Sequence, residues 1–407
     1  MITLATMNQG AEIPRVSPEE VGLSSAQLAR IAPAMESLIT REQTAGVVVA
    51  VARKGKLAYL ESFGSMNREK SLPMKNESVF RIYSMTKAVA TAAAMILVDE
   101  GQLLLDDPVA AYVPAFSNAV VHTPEGKVQA CRAPTVRDLM RHTAGLTYGY
   151  FGNSPVDIIY REREILDPSR ALKDFGSVLG AIPLAYQPGE DWVYSVSVDV
   201  IGLVVEEVSG MPFDRFLQER LLAPLDMKDT GFVVRPDQRD RFVTLYDHSV
   251  EQGLTPDDGG RTESYFAKPK LLSGGGGLVS TVRDYLRFLQ MVLNGGELEG
   301  RRVLSQKSVE LMTTNQLPDG VKQIHFGEEI RHGVGFGLGF NVVVKESDDW
   351  DPDAVIGEFG WGGLASTHYW VSPRHDLIVV TMEQRLPYSW DVERALKGLI
   401  YQAVIED

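Results

Sequence analysis

Ser84 and Lys87 are the residues whose types and spacing are best suited to chemistry. They belong to Ser84-Met85-Thr86-Lys87, a Ser-x-x-Lys at the predicted start of a long helix. Residues three apart share one helix face, so the amine of Lys87 can reach the hydroxyl oxygen of Ser84. At a helix N-terminus the backbone N–H of Ser84 also points at a developing oxyanion. A lysine held in a cleft loses solvation, which favours its neutral form and lets it act as a base.

The tetrapeptide alone is a weak signal, because chance supplies about one Ser-x-x-Lys in a chain of this composition. A capped helix start with an exposed lysine explains it equally well. Other signatures are missing from the sequence: there is no Gly-x-Ser-x-Gly elbow, no His-Glu-x-x-His and no histidine cluster. Gly333–Gly337 precedes a strand instead of linking a strand to a helix, and Gly274–Gly277 lacks the Lys-Ser/Thr of a phosphate loop. We therefore expect no metal and no cofactor.

Hydrophobic periodicity indicates the elements that position these residues. Apolar residues recur every three to four positions within Ser24–Glu42, which predicts a helix capped by Ser24 or Ser25. Val47–Val51 and Leu57–Leu60 flank a Lys-Gly-Lys turn and predict a β-hairpin. Further helices are predicted over Ser84–Gly101, Val136–Arg141, Val198–Val208, Pro212–Leu222, Thr281–Asn294 and Asp391–Ile405, and further strands over Gly339–Val344, Ser366–Val371 and Leu377–Glu383.

Strands at both ends with a helical block between them predict an α+β fold. Residues 1–85 and 280–407 are expected to form a sheet domain built from both termini, and residues 86–279 a mainly helical domain. We expect the active site in the cleft between the two, where ligand sites are common.

Charge and composition exclude several classes of partner. The chain has 407 residues, with 40 Lys+Arg against 54 Asp+Glu and a net charge of −14. An acidic protein without a Lys/Arg-rich stretch is poorly suited to nucleic acid or to an anionic membrane. The longest apolar run, Ala88–Val98, is well short of the ~20 residues that cross a bilayer. Met1–Met7 lacks the features of a secretory signal and the single Cys131 cannot form an internal disulfide, so we expect a cytoplasmic location.

Blocks of sequence around Ser84 and beyond it carry a family resemblance. They are, in order, Val79–Lys87, Leu105–Val109, Leu139–Leu146, Pro188-Gly189, Tyr194–Ser197, Gly274–Thr281 and Gly360–Leu364. In this order and spacing the chain resembles the serine β-lactamase and penicillin-binding-protein superfamily, above all the class C β-lactamases and the family VIII carboxylesterases. The resemblance runs from about Glu19 to Ile400. It implies a β-lactamase-like fold, with an antiparallel sheet flanked by helices and an all-helical lobe.

The resemblance also implies a role for each matching residue. Ser84 would be the acylated nucleophile and Lys87 its proton partner. Tyr194 matches the tyrosine of the family's Tyr-x-Asn element, which serves as general base and then as general acid for the leaving alcohol. A phenol titrates near ~10, so it needs a nearby cation such as Lys87 to work near neutrality. The backbone N–H groups of Ser84 and Leu364 would form the oxyanion hole.

Two departures from the β-lactamase pattern point to esters. Trp361-Gly362-Gly363 stands where the β-lactamases have Lys-Thr-Gly, so the cation that anchors a substrate carboxylate is missing. Such a charged contact typically contributes ~1.5–3 kcal/mol. Val196 replaces the Asn of Tyr-x-Asn, which also makes the substrate pocket more apolar. The two glycines still let the strand approach the nucleophile closely.

Other residues have plainer interpretations. Tyr148, Tyr150 and Phe151 are expected to line the acyl pocket, although loop aromatics are as often only partly buried. His142 is interpreted as a helix-end hydrogen-bonding residue, since a catalytic histidine is not needed beside the Ser-x-x-Lys. His375 lies in a Ser-Pro-Arg-His-Asp turn, which explains it without a catalytic role.

The sequence thus predicts a serine carboxylesterase that acts on a small-molecule ester, short-chain or aryl, through an acyl-Ser84 intermediate. Weak cephalosporin hydrolysis is compatible with the same machinery. Three alternatives stay open: a class C-like β-lactamase or D-peptidase, an acyltransferase in which an alcohol replaces water, and a non-enzymatic binding module. The last is disfavoured because Ser84, Lys87 and Tyr194 are all present. No sequence pattern fixes the oligomeric state.

Overall fold

A computed structural model of the protein describes residues 13–257, 260–321 and 323–405. The segment Met1–Met7, for which no secretory signal is predicted, lies outside the described residues. The α-helices are α1 (Ser25–Leu28), α2 (Ile31–Thr40), α3 (Thr86–Asp99), α4 (Val136–Met140), α5 (Pro155–Glu162), α6 (Leu172–Gly180), α7 (Ser197–Ser209), α8 (Phe213–Leu217), α9 (Val282–Leu293), α10 (Gln306–Thr313) and α11 (Asp391–Ala403). The strands are β1 (Gly46–Arg53), β2 (Lys56–Asn67), β3 (Leu72–Pro73), β4 (Phe80–Arg81), β5 (Val120–Thr123), β6 (Gly126–Gln129), β7 (Tyr246–Ser249), β8 (Gly253–Pro256), β9 (Val279–Ser280), β10 (Glu297–Leu298), β11 (Arg301–Arg302), β12 (Ile324–Phe326), β13 (Glu329–Arg331), β14 (Val334–Phe336), β15 (Asn341–Val343), β16 (Phe359–Gly363), β17 (Thr367–Ser372), β18 (Leu377–Met382) and β19 (Arg385–Leu386).

The largest sheet is assembled from the two ends of the chain. Its eight strands lie in the order β14–β15–β16–β17–β18–β1–β2–β3, and each neighbouring pair is antiparallel. The predicted N-terminal hairpin is confirmed as β1–β2. Val48 of β1 lies opposite Met382 of β18. A strand from the beginning of the chain therefore occupies the middle of a sheet whose other half comes from its end.

Both faces of β1 are covered, which explains its unbroken apolar sequence. Successive side chains of a strand point to opposite faces, so Val47, Val49 and Val51 join one core and Val48 and Ala50 join the other. Helices α2 and α11 pack on the first face and helix α9 on the second. Each fully buried valine or leucine contributes ~1.5–3 kcal/mol to folding. These two cores fix the sheet as a rigid layer between helices.

Helix α3 carries Lys87 through the interior of the molecule. Every residue from Thr86 to Leu97 is buried, as expected for a helix that is apolar nearly all round. The helix predicted over Ser84–Gly101 is confirmed except in its first turn, because Tyr83–Met85 forms a 3₁₀ turn that leads into α3. Ser84 therefore lies in the tight turn at the entrance of a buried helix.

The helix predicted over Ser24–Glu42 is interrupted after its first turn. Ser24 caps α1 by accepting a hydrogen bond from the backbone N–H of Gln27 at 3.3 Å. The chain then leaves the helix at Ala29 and re-enters it at Ile31. Pro33 explains the break, because proline has no N–H to donate to the Ala29 carbonyl and its ring crowds that carbonyl.

Between β3 and β14, the described part of the chain contains helices α3–α10 and the short hairpins β5–β6, β7–β8, β10–β11 and β12–β13. Strand β7 also pairs in parallel with β19, so this block is joined directly to the C-terminal part of the chain. None of the helices within the described residues is long and apolar enough to span a bilayer.

Candidate active site

Lys87 lies between three oxygen atoms at the start of α3. Its Nζ atom donates to the hydroxyl oxygen of Ser84 at 3.3 Å, to that of Tyr148 at 2.8 Å and to the carbonyl oxygen of Gly275 at 2.6 Å. The lysine is 1% exposed. The predicted approach of Lys87 to Ser84 along one helix face is therefore present, and both hydroxyls lie within reach of one amine.

Asp199, in the first turn of α7, supports this amine from behind. One of its carboxylate oxygens accepts the backbone N–H of Gly275 at 3.0 Å and the hydroxyl of Ser273 at 2.5 Å. Burial raises the pKa of Asp199, and the charge of Lys87 opposes that shift. Within the described residues no carboxylate oxygen lies within 4.0 Å of Lys87 Nζ, so the ammonium has no direct counter-ion.

The glycine run before β9 lets the backbone reach Lys87. A Cβ on Gly275 would lie 2.3 Å from a carboxylate oxygen of Asp199, and one on Gly274 would lie 2.5 Å from the carbonyl oxygen of Val198. Any side chain at these positions would push the Gly275 carbonyl away from the lysine. The glycines therefore serve to position an acceptor for the amine.

Tyr194 lies on the other side of Lys87, against the aromatic residue of the third element. Lys87 Nζ is 4.6 Å from the centre of the Tyr194 ring. The indole N–H of Trp361 donates to the hydroxyl oxygen of Tyr194 at 3.2 Å. Trp361, which replaces the lysine of the β-lactamase pattern, thus holds Tyr194 in place.

Tyr148 binds Lys87 more directly than the sequence predicts. It is expected only as a pocket residue. Of the two tyrosines beside the lysine, however, it is Tyr148 whose hydroxyl oxygen accepts a hydrogen bond from Lys87. Burial is the main reason that the pKa of Tyr148 lies well above its usual value, and the nearby Tyr194 raises it further. Tyr148 therefore stays a neutral phenol. Its ring and that of Tyr194 lie 5.2 Å apart, so the two tyrosines flank the amine as a pair.

Strand β16 passes close to the turn that carries the nucleophile. A Cβ on Gly363 would lie 2.4 Å from the carbonyl oxygen of Ile82, so only glycine fits there. Tyr83, directly before Ser84, has a φ of +39°, a left-handed conformation that bulky residues rarely adopt. Such strain persists where the surrounding structure holds it, which is common at functional sites.

A cavity of about 580 Å³ opens in front of these residues. Its lining includes eight of the nine predicted substrate-pocket and oxyanion residues: Ser84, Tyr148, Tyr150, Phe151, Trp361, Gly362, Gly363 and Leu364. Tyr150 and Phe151 are exposed at its mouth, at 69% and 45%. Val196 is the exception, because it is fully buried at the N-cap of α7 and is absent from the described lining.

His142 and His375 each lie within hydrogen-bond distance of a serine hydroxyl other than that of Ser84. His142 is fully buried beside Tyr194, and its Nδ1 atom is 3.1 Å from the hydroxyl oxygen of Ser195. Burial lowers the pKa of His142 well below its usual value, so it stays neutral. His375 lies in the predicted turn between β17 and β18, with Nδ1 2.9 Å from the hydroxyl oxygen of Ser372. Cys131 is exposed.

Comparison with known proteins identifies the family of the chain. A model of the beta-lactamase family matches residues 29–401. The chain belongs to the beta-lactamase family. Protein Rv1367c of Mycobacterium tuberculosis is 36% identical over 363 residues, which cover 87% of this chain and 89% of that protein. Esterase EstB of Burkholderia gladioli is 29% identical over 387 residues, covering 88% and 91% of the two chains.

Solved structures of beta-lactamase-like proteins share the fold. EstCE1, described as a hydrolase with promiscuous acyltransferase activity, is 25% identical and superposes with a TM-score of 0.81 over 92% of this chain and 98% of its own. The β-lactamase-like α+β fold predicted from the resemblance is therefore confirmed. Membership of the family and the esterase relatives support serine-hydrolase chemistry through an acyl-enzyme.

Several residues of this beta-lactamase-family site are missed by sequence reasoning. Asp199 follows Tyr194 by five residues, and this spacing is the one signal that could have placed it in the first turn of α7. Gly275 is noted in the sequence only for its run of glycines, since the acceptor it supplies is a backbone carbonyl. Arg331 reaches the cavity from a short hairpin that no periodicity predicts.

Proposed function

We propose that the protein is a serine carboxylesterase that hydrolyses small esters through an acyl-Ser84 intermediate. The observation that carries the proposal is the contact between Ser84 Oγ and a buried Lys87 that lacks a direct counter-ion among the described residues. An amine at hydrogen-bond distance from the serine hydroxyl is placed to take its proton as the serine attacks an ester. The mainly apolar cavity in front of it suits an ester better than a charged peptide.

In the proposed acylation step, Ser84 Oγ attacks the ester carbonyl carbon and its proton passes to Lys87. Tyr194, close to the lysine and bonded by Trp361, exchanges that proton and delivers it to the leaving alcohol. The backbone N–H groups of Ser84 and Leu364 donate hydrogen bonds to the oxyanion. The glycines of β16 allow this strand to lie close enough to the Ser84 turn for both groups to reach it. Water then attacks the acyl-enzyme by the same proton route in reverse.

Two variants and one label test this proposal. Ser84→Ala is expected to abolish hydrolysis of p-nitrophenyl butyrate while leaving the circular dichroism spectrum unchanged. A small reactive phosphonate is expected to modify the peptide that contains Ser84, as mapped by mass spectrometry. Ser347→Ala, which removes another hydroxyl of the same cavity, serves as the matched control and should retain labelling. Full activity in Ser84→Ala, or an adduct elsewhere, would refute the proposal.

Acyl transfer is the second candidate, favoured by the likeness to EstCE1 and its printed acyltransferase activity. The acyl-enzyme is common to both reactions, so the acceptor that reaches it decides the product. Product analysis of ester turnover with an added alcohol separates the two. If transfer to the alcohol is faster than hydrolysis at a low alcohol concentration, the proposed function changes from esterase to acyltransferase.

β-Lactam or D-peptide cleavage is less well supported. Trp361 stands where the β-lactamase pattern has a lysine, so the third element has no cation for the carboxylate of those ligands. We expect kcat/KM for a chromogenic cephalosporin to be well below that for p-nitrophenyl butyrate.

A further inference from the structure

Beyond the reactive residues, the same cavity contains a buried arginine surrounded by aromatic rings. Arg331, at the end of β13, lines the cavity and its side chain is 7% exposed. Its guanidinium carbon lies 4.2 Å from the ring centre of Phe326, 4.7 Å from that of Trp350, 5.0 Å from that of Trp390 and 5.5 Å from that of Trp361. Such contacts fix the orientation of the guanidinium plane. The N–H groups at the edges of that plane stay available to a hydrogen-bond acceptor.

No acceptor for those edges is supplied by the described part of the chain. Arg331 Nε is buried and has no hydrogen-bond partner. The nearest carboxylate oxygen, from the half-exposed Glu329, lies 3.7 Å from Nε, beyond hydrogen-bond distance. A guanidinium has five N–H donors, and buried donors are almost always paired. The missing acceptor must therefore enter through the cavity.

The other charges at this end of the cavity are largely engaged with one another. Lys397 Nζ donates to carboxylate oxygens of Asp351 and Glu358, each at 2.5 Å. A third carboxyl, Glu393, lies 3.8 Å from Lys397, and burial raises the pKa of Glu393 to about 7. Asp351, Glu358 and Glu393 are thus grouped around Lys397, and Glu329 alone among the described carboxylates lies within 4.0 Å of Arg331, too far for a hydrogen bond.

We propose that Arg331 binds a carboxylate carried by the substrate, so that the preferred substrate is an acidic ester. This inference rests on the proposed esterase function and specifies its substrate class. A carboxylate matches the planar fork of a guanidinium with two parallel hydrogen bonds. The β-lactamase pattern has a lysine at the position of Trp361. Arg331, on strand β13, supplies the positive charge for the carboxylate instead.

Trp361 links the two ends of the cavity and sets the form of the ligand. Its ring centre lies 5.3 Å from that of Tyr194 on the reactive side and 5.5 Å from the guanidinium carbon of Arg331 on the other. An ester whose carbonyl group meets Ser84 would lie along this indole with its acid group at Arg331. The acid and the scissile bond are thus separated by roughly the breadth of an indole.

Matched pairs of esters test the proposal. One pair is 3-acetoxybenzoate and its methyl ester, and the other is p-nitrophenyl hemiglutarate and p-nitrophenyl methyl glutarate. These place the carboxylate on the alcohol side and on the acyl side respectively. We expect Arg331→Gln to lower kcat/KM about tenfold or more for the acidic member of at least one pair, and less than about twofold for its neutral partner.

Two further variants keep the test sharp. Arg331→Lys retains the charge but not the fork, and should give an intermediate loss if Arg331→Gln does not fold. Lys345→Gln removes an exposed cation from the same cavity wall and should leave the ratio of acidic to neutral ester unchanged. An equal effect of Lys345→Gln would overturn the proposal. The positive electrostatic potential of the cavity wall as a whole would then explain the preference for acidic esters.

Binding measured without turnover separates this inference from the esterase proposal. Calorimetry with monomethyl glutarate should show binding to the wild type that is lost in Arg331→Gln, whether or not any ester is cleaved. No binding, equal losses on both members of a pair, or no loss on either acidic ester would overturn the proposal, since water would then satisfy the guanidinium. A loss confined to a carboxylate-bearing cephalosporin would overturn the assignment to esters.

Discussion

Two buried lysines, Lys397 in the cavity wall and Lys87 beside Ser84, differ in their partners. Lys397 Nζ donates to carboxylate oxygens of Asp351 and Glu358. Burial opposes its charge, but these carboxylates and Glu393 raise the pKa of Lys397 above its usual range. Lys87 Nζ instead donates to two hydroxyl oxygens and one backbone carbonyl, all neutral.

The contrast separates a structural cation from a reactive one. A buried charge that is paired and hydrogen-bonded is expensive to disrupt, because removing one partner strands the other. The hydrogen-bond acceptors that the described residues offer Lys87 are neutral, and one is the Ser84 hydroxyl, which places the amine for proton exchange with the proposed nucleophile. The same side chain therefore supports the fold at one end of the cavity and chemistry at the other.

Reciprocal substitutions give the largest expected effects. Lys87→Met should lower kcat/KM for a neutral ester by about 10³–10⁴-fold, because the proton partner of Ser84 is lost. Its free energy of unfolding should equal or exceed that of the wild type, since no carboxylate loses a partner. Lys397→Met should destabilise the fold by about 3–5 kcal/mol, because the buried Glu358 and the partly exposed Asp351 lose their cation.

Ester kinetics and urea denaturation on both variants check this contrast. Lys397→Met should retain most of its activity on a neutral ester at a temperature where it is folded. A Lys87→Met protein that is active, or one that is as unstable as Lys397→Met, would break the distinction between the two lysines.

The two tyrosines around Lys87 provide the next test. Tyr194→Phe should lower kcat about 10²-fold or more, because it removes the hydroxyl proposed to carry the proton. Tyr148→Phe should cost about tenfold, because a neutral phenol that only positions the amine is removed. The kcat of each variant for p-nitrophenyl butyrate, measured on folded protein, separates the two roles. The reverse ranking would make Tyr148 the proton carrier.

The smallest expected effect concerns Glu393, beside Lys397. Burial raises its pKa in the folded protein to about 7, against an ordinary value of 4.5. The folded state thus holds this proton more tightly than the unfolded chain. The stabilisation is complete below pH 4.5 and is lost as the pH rises through 7, a fall of about 1–3 kcal/mol.

Denaturation curves across this pH window test the assignment. Glu393→Gln should flatten the fall of unfolding free energy between pH 4.5 and 7, whereas the exposed Glu310→Gln should not. An unchanged slope in Glu393→Gln would show that this carboxyl titrates normally and stands beside Lys397 as a third ionised acid above pH 4.5.

Much of the architecture could be predicted from local patterns. The unbroken run in β1 and the helical periodicity of α7 and α9 are set by which residues must be buried, and the structure has those elements. The helix over Ser24–Glu42 was predicted without its break, because the periodicity continues across Pro33. Short strands such as β12 and β13 were not predicted, since three residues are too few to show a period.

The candidate site was predictable where spacing along one helix decides it, as for Ser84 and Lys87. It was not predictable where distant segments meet. The contacts of Tyr148 with Lys87 and of Trp361 with Tyr194 depend on how loops and strands are packed, not on sequence spacing. Val196 shows the opposite error, because a motif position that faces a ligand in one relative need not line the cavity in another.

The position of β1 beside β18 has a consequence for synthesis on the ribosome. Ser84 and Lys87 leave the ribosome early, but β16 and β18 leave it late, and Arg81 bonds Gln384 across 303 residues of sequence. Until then the β1–β2 hairpin presents an open edge, which invites wrong pairing. The nascent chain therefore lacks a complete active site for most of its translation. Its open strand edge depends on chaperones or on rapid folding for protection. Contacts of such long range also predict slow refolding in vitro.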